Sequence, residues 1–317
     1  MRFALMIEPQ QGLSYEEQLA LARRAEAAGF ETLFRSDHYQ SFPGPAGRPT
    51  TDAWTVLAGL ARETTRIRLG VLVSPVTFRH PGAFAKVVTT VDEMSGGRVD
   101  VGVGAGWNEV EHAGLGLPFP PIEERVGRLE EELAILHGLW GEPDGWSFQG
   151  RWTRIEDARF HPRPIQQPRP PIVLGGEGSA RSRALAARWA DEYNLSKSRP
   201  AEAATVFRRL DEACAAIGRE PASLRRSVMI GALIGRDRAE LEQRVADQLA
   251  VLEQPAAEAE AWLAERRPRW MVGTPDEARE RAREFAAIGV DRLMLQVLLP
   301  RDAAMLDLLA EALIGRV

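Results

Sequence analysis

Three groups of residues have the types and spacing that chemistry needs. The first lies in Gly97-Arg-Val-Asp-Val-Gly-Val-Gly-Ala-Gly-Trp-Asn-Glu-Val-Glu-His112, where Val99, Val101 and Val103 alternate with Asp100, Gly102 and Gly104. Period-two alternation reads as a short buried strand, and glycines at its carboxyl end let backbone approach a flat or phosphorylated ligand where a side chain would collide. The second, Gly175-Gly-Glu-Gly-Ser179, opens a helix over 180–189 whose free N–H groups and dipole suit an anion; Ser179 and Arg181 add donors. The third is His38, the one histidine at the end of a predicted strand, where an imidazole can give or take a proton. Asp37 beside it faces the other side of the strand and is expected to orient a loop or helix.

Lys86 and Lys197 are the only lysines, and Lys197 follows a predicted strand, so it reads as an iminium-forming nucleophile, a ligand for an anionic group, or a solvated side chain. Two nucleotide signatures fail: Gly102-x-Gly104-x-Gly106 lacks the third glycine at dinucleotide spacing, and no Gly-x4-Gly-Lys-Ser/Thr occurs. His80, His112, His137 and His161 show no metal-ligand spacing, so no metal site is expected.

The elements that must position these residues follow in regular alternation. Strands are predicted over 2–7, 32–35, 67–73, 99–103, 171–175, 192–195, 226–234 and 292–298, and helices over 15–28, 54–63, 82–94, 121–139, 180–189, 201–217, 275–288 and 303–314, with two charged helices between 237 and 266. Ser14 and Glu17 form a capping box before the first helix. Eight βα units imply a parallel sheet that closes as a (β/α)8 TIM barrel within one domain spanning 1–317; a doubly wound open sheet is the alternative. The stretch 141–171, rich in proline and aromatics, reads as an excursion packed over the rim. In a barrel, ligands bind where strands end, which gathers Glu8, Asp37, His38, residues 72–74, 104–108, 175–179 and 194–197, and Gln296 on one rim.

Composition narrows the class. The 317 residues are 44% hydrophobic and 27% charged with a formal net charge of -5, which suits a soluble enzyme and provides no basic field for nucleic acid or an anionic membrane. Cys214 is the only cysteine, so no intramolecular disulfide is possible and a reducing cytoplasm is expected; the start of the chain shows no signal-peptide pattern.

Taken together, Ser36-Asp-His-Tyr39, Arg66-Ile-Arg-Leu-Gly70 into Pro75-Val-Thr-Phe-Arg-His-Pro81, the Gly97–Glu109 run, Phe160-His-Pro-Arg-Pro164 and Gly175-Gly-Glu-Gly178 resemble the bacterial luciferase-like monooxygenase superfamily, and within it the deazaflavin (coenzyme F420)-dependent oxidoreductases. The resemblance covers essentially the whole chain. It implies a (β/α)8 barrel, a homodimer, and a deazaflavin or flavin ring across the barrel mouth, with a small organic molecule as substrate. By position it implies His38 as catalytic residue against the reactive face of the ring. It places Leu72-Val73 at a non-prolyl cis peptide that backs the ring, and Gly104, Ala105, Gly106, Trp107 and Asn108 along it. Gly175, Gly176, Glu177, Gly178 and Ser179 fall at the cofactor phosphate, and Asn194 and Ser196 at its side chain. Phe42 and Lys197 fall on the substrate side. The glutamate that a sugar-phosphate dehydrogenase branch carries after the fourth-strand glycines has no match; Trp107 stands nearest, and Glu109 is close. Coenzyme F420 is the expected cofactor and FMN with oxygen the alternative. A Schiff-base lyase using Lys197 and a non-catalytic flavin-binding protein are the readings from other classes.

Overall fold

The computed structural model describes all residues, 1–317. In chain order the elements are β1 (Arg2–Ile7), α1 (Tyr15–Ala28), β2 (Thr32–Arg35), α2 (Ala53–Glu63), β3 (Arg68–Pro75), α3 (Pro81–Ser95), β4 (Val99–Gly104), α4 (Glu109–Leu115), α5 (Ile122–Gly141), β5 (Trp146–Gln149) and β6 (Arg154–Ala158). They continue with β7 (Ile172–Gly176), α6 (Ala180–Trp189), β8 (Glu192–Ser196), α7 (Pro200–Ala216), β9 (Arg225–Ile234), α8 (Arg238–Val251), α9 (Ala259–Arg266), β10 (Met271–Gly273), α10 (Pro275–Ala287), β11 (Arg292–Val297) and α11 (Ala303–Leu313). The parallel order β9-β11-β1-β2-β3-β4-β7-β8 closes through the pairing of β8 with β9, giving an eight-stranded barrel ringed by helices. The open-sheet alternative is thereby excluded. No helix is long and apolar enough to cross a membrane.

Each strand sends alternate residues outward to the helices and inward to the barrel. Val99, Val101 and Val103 join the large core between sheet and helices. Inside, Ala4, Met6, Phe34, Leu72, Val173 and Met294 form a second apolar cluster. Phe34 fills the centre so closely that a Cβ at Gly70 would lie 2.4 Å from its ring. Beneath this layer the base is ionic: Arg292, 1% exposed, reaches Asp100 at 2.8 Å, Glu192 at 3.2 Å and Glu31 at 3.1 Å. Asp100 is held below the ordinary carboxylate range in spite of its burial, because Arg292 and Arg68 face it.

Two features depart from the expected pattern. The excursion 141–171 forms a hairpin, β5 with β6, on the outside of the helical ring: Trp146 packs over Gly138 and Trp152 over Gly127 of α5. It does not reach over the mouth, since its large side chains find their apolar partners along the helix flank. Secondly, β10 adds three residues beside the long β9, extending the wall on that side of the mouth.

Candidate functional site

At the carboxyl ends of the strands opens a cavity of about 1030 Å³. Its floor is set by β3. The register between β3 and β4 slips between Val71 and Ser74, so the extra residue bulges toward the axis, where the Leu72–Val73 peptide is cis. This bulge explains the glycines of the neighbouring strands. A Cβ at Gly102 would meet the Val71 carbonyl at 1.9 Å, one at Gly104 would meet Val73 Cγ2 at 2.6 Å, and one at Gly175 would meet Val73 Cγ1 at 2.9 Å. The close approach read from these glycines is therefore made first by the chain's own bulge. Gly106 has φ +79, a conformation that glycine adopts without strain.

His38 stands at the end of β2, and its Nδ1 lies 2.8 Å from Glu111 Oε1. Glu111, 1% exposed, accepts the Tyr39 N–H with its other oxygen at 2.9 Å. A carboxylate accepts only, so Nδ1 carries the donated proton and Nε2 is left for the cavity. Glu109, the nearest acid in the sequence reading, is exposed, and the acid that meets His38 is Glu111. The cause is α4: Asn108 caps its start, and the helical turn carries residue 109 outward while Glu111 and His112 face inward. His112 locks this turn, with Nδ1–H donating to the Asn108 carbonyl at 2.6 Å and Nε2 accepting from Thr77 Oγ1 at 2.7 Å.

Behind His38, Asp37 turns away as expected and pairs with Arg79, which also bridges Tyr39 and Asp52. Asp52 is half-buried, yet the Thr55 N–H and Arg79 lower it to about 2, so it stays ionised, and the cluster anchors the loop after β2. In front, the rings of Phe42 and Trp107 meet edge to face at 5.2 Å, and Phe42 reaches the imidazole at 4.4 Å. Trp107 is 65% exposed at the opening.

On the opposite rim, Ser179 caps α6 by accepting from Ser182 N. The Gly178 N–H is already taken by Tyr193 Oη at 3.0 Å, so Gly178 supports the loop from behind and does not line the cavity. Asn108, whose backbone carbonyl is taken by His112, does not line it either. The remaining candidates do: His38, Phe42, Leu72, Val73, Gly104, Ala105, Gly106, Trp107, Gly175, Gly176, Glu177, Ser179, Asn194, Ser196 and Lys197. Asn194 gives its amide N–H inward to Ser227 Oγ at 2.9 Å, and Lys197 sits exposed with φ +53. The wall given to 141–171 in the sequence reading is built instead by Ile122, Arg125, Val126 and Leu129 of α5 and by Leu252, Trp262, Arg266 and Trp270. A signal for this wall exists in Gly231, mid-strand in β9, where a Cβ would strike Trp270 at 2.2 Å.

A closed parallel barrel with a ligand chamber at the carboxyl ends of its strands, floored by a bulge and flanked by a histidine–carboxylate pair, defines the class. Within that class, residues 1–292 match the family of luciferase-like monooxygenases, and the chain belongs to it. It is 30% identical over 316 residues to the F420-dependent glucose-6-phosphate dehydrogenase of Beutenbergia cavernae, covering 94% of this chain and 92% of that enzyme. The enzyme of the same name from Microbacterium testaceum is 36% identical over 201 residues, a match that spans 57% of its length and 62% of this chain. The FMNH2-dependent dimethylsulfone monooxygenase of Pseudomonas putida is 30% identical over 187 residues, 59% of this chain and 50% of that enzyme. An F420-dependent secondary alcohol dehydrogenase, solved with an F420-acetone adduct, shares the fold with a TM-score of 0.82 at 19% identity over 100% of this chain and 98% of that one.

Proposed function

We propose that this oxidoreductase binds coenzyme F420 in the mouth cavity and transfers a hydride between the deazaflavin and a small organic substrate. The residues present fit such a group. The apolar bulge of Leu72 and Val73 offers a flat backing, the start of α6 with Ser179 and Arg181 offers donors for a phosphate, and Lys197 stands nearby. The bound deazaflavin supplies a carbon that accepts or releases hydride.

The chain's own contribution is orientation and proton handling. Glu111 holds His38 so that Nε2 meets the substrate side, where it takes the proton released on oxidation or returns one on reduction. Phe42 and Trp107 shield that face from water. The single observation that carries the reading is the His38–Glu111 pair beside the Leu72–Val73 bulge. A relative named for F420 that aligns over 94% of the chain supports the cofactor.

The FMNH2-dependent relative favours a second reading, an FMN-dependent monooxygenase on the same frame. Titrating the protein with F420 and with FMN, and following cofactor fluorescence together with the cavity tryptophans Trp107, Trp262 and Trp270, separates the two. Micromolar binding of F420 alone is expected. Tight FMN binding with no F420 response would replace the proposal with the second reading.

A further inference from the structure

The ends of β11, β1 and β2 place Gln296, Glu8, Gln10 and Ser36 side by side, and all four line the mouth cavity. Glu8 is 8% exposed. Its Oε1 accepts from Gln296 Nε2 at 2.5 Å and its Oε2 from Gln10 Nε2 at 2.7 Å. Gln10 is fixed in turn by the Ser36 hydroxyl, which donates to its Oε1 at 2.6 Å. The carboxylate is thus held in one orientation by two neutral amides. The nearest guanidinium behind it, Arg35, spends its donors on Gln18, Thr51 and the Ser36 carbonyl.

A carboxylate offers about four acceptor sites, and two of Glu8's are filled from inside the protein. A buried anion without a paired cation is costly unless further donors reach it, and the side left open faces the chamber. Of the charged groups that line it, Glu177, Arg181 and Lys197 follow β7 and β8, Arg125 and Arg266 come from α5 and α9, and Glu111 of α4 is engaged with His38. The lining also carries the aromatic side chains of Phe42, Trp107, Trp262 and Trp270 beside Arg125 and Arg266.

We infer that Glu8 is a substrate-positioning carboxylate that accepts a hydrogen bond from an O–H or N–H group, so the enzyme takes hydroxyl- or amine-bearing molecules with an apolar or aromatic body. The inference rests on the reading of this cavity as the reaction chamber. Carboxylates and ethers are disfavoured, since one repels Glu8 and the other leaves it without a donor.

The test uses the cofactor-free full chain and the fluorescence of the cavity tryptophans. Benzyl alcohol, benzylamine, benzyl methyl ether and benzoate are titrated into the wild type and Glu8→Gln, with circular dichroism to verify folding. At least one of the two donors is expected to bind the wild type about tenfold more tightly than the ether and benzoate, the alcohol and amine arms showing which donor is preferred. Glu8→Gln erases the preference. Should that variant not fold, Glu8→Asp, which withdraws the charge by one methylene, is expected to reduce it. Equal binding of all four probes by the wild type, or a preference that survives substitution, overturns the inference. So does a loss of F420 affinity in Glu8→Gln with probe preference intact, because Glu8 would then serve the cofactor. Failure of the wild type to bind F420 removes the cofactor reading instead, and the probe comparison stands apart from it.

Discussion

Glu132 provides the sharpest quantitative prediction. It lies on the buried face of α5 among Leu129, Leu133, Ile135 and Leu136. Burial raises its carboxyl to about 8, with Arg79 pulling weakly the other way, while the same group in the unfolded chain ionises near 4.5. Between those values the native protein keeps a proton that the unfolded chain has released. Native proton binding exceeds unfolded, so stability falls as pH rises through the window. The slope is about 1.4 kcal/mol per pH unit, and the whole window amounts to at most about 5 kcal/mol. His137, which burial and Arg169 lower to about 4, contributes in the opposing direction below about pH 7.5, but it is present in both proteins and cancels in the difference between variant and wild type. Glu132→Gln removes the titration while keeping the shape. Urea unfolding at pH 5, 6.5 and 8 measures the outcome: the stability difference between variant and wild type shifts in favour of the variant by about 4 kcal/mol from pH 5 to 8. A difference that stays constant across the three pH values would refute the reasoning.

Two further predictions concern the site. In Glu111→Gln the amide keeps its carbonyl on the Tyr39 N–H and turns its NH2 toward His38, forcing the proton to Nε2. Nitrogen-15 NMR of the His38 ring detects that change, and turnover with F420 falls about 10²- to 10⁴-fold; an unchanged tautomer contradicts the assigned role of Glu111. Gly104→Ala drives a Cβ to 2.6 Å from Val73 Cγ2 and lowers stability by about 1–3 kcal/mol. Val73→Ala in the same chain restores most of that loss, and strictly additive costs in a denaturant titration would show that the two side chains do not compete.

Much was legible in the chain because it depends on local pattern. Alternating valines, the Ser14 and Glu17 capping box and the repeated strand–helix order are written within a few residues of one another, so the eight barrel strands, the ring of helices and the rim residues His38, Leu72, Val73 and Lys197 could be read directly. Local pattern does not say what lies across a gap. The sequence marked Gly102, Gly104 and Gly175 as needing room, but only the folded barrel shows that the occupant is the bulge of β3. It assigned no acid partner and noted only that Glu109 is close, where helical phase selected Glu111, and it sent 141–171 over a mouth that α5 and the segment around Trp262 and Trp270 enclose. Glu8 appeared as one rim residue among many until β11 and β1, 288 residues apart at the Gln296–Glu8 contact, were laid edge to edge. Periodicity is encoded by neighbours in sequence, whereas a side chain's partner is chosen by the closure of the barrel, which joins residues that no spacing relates.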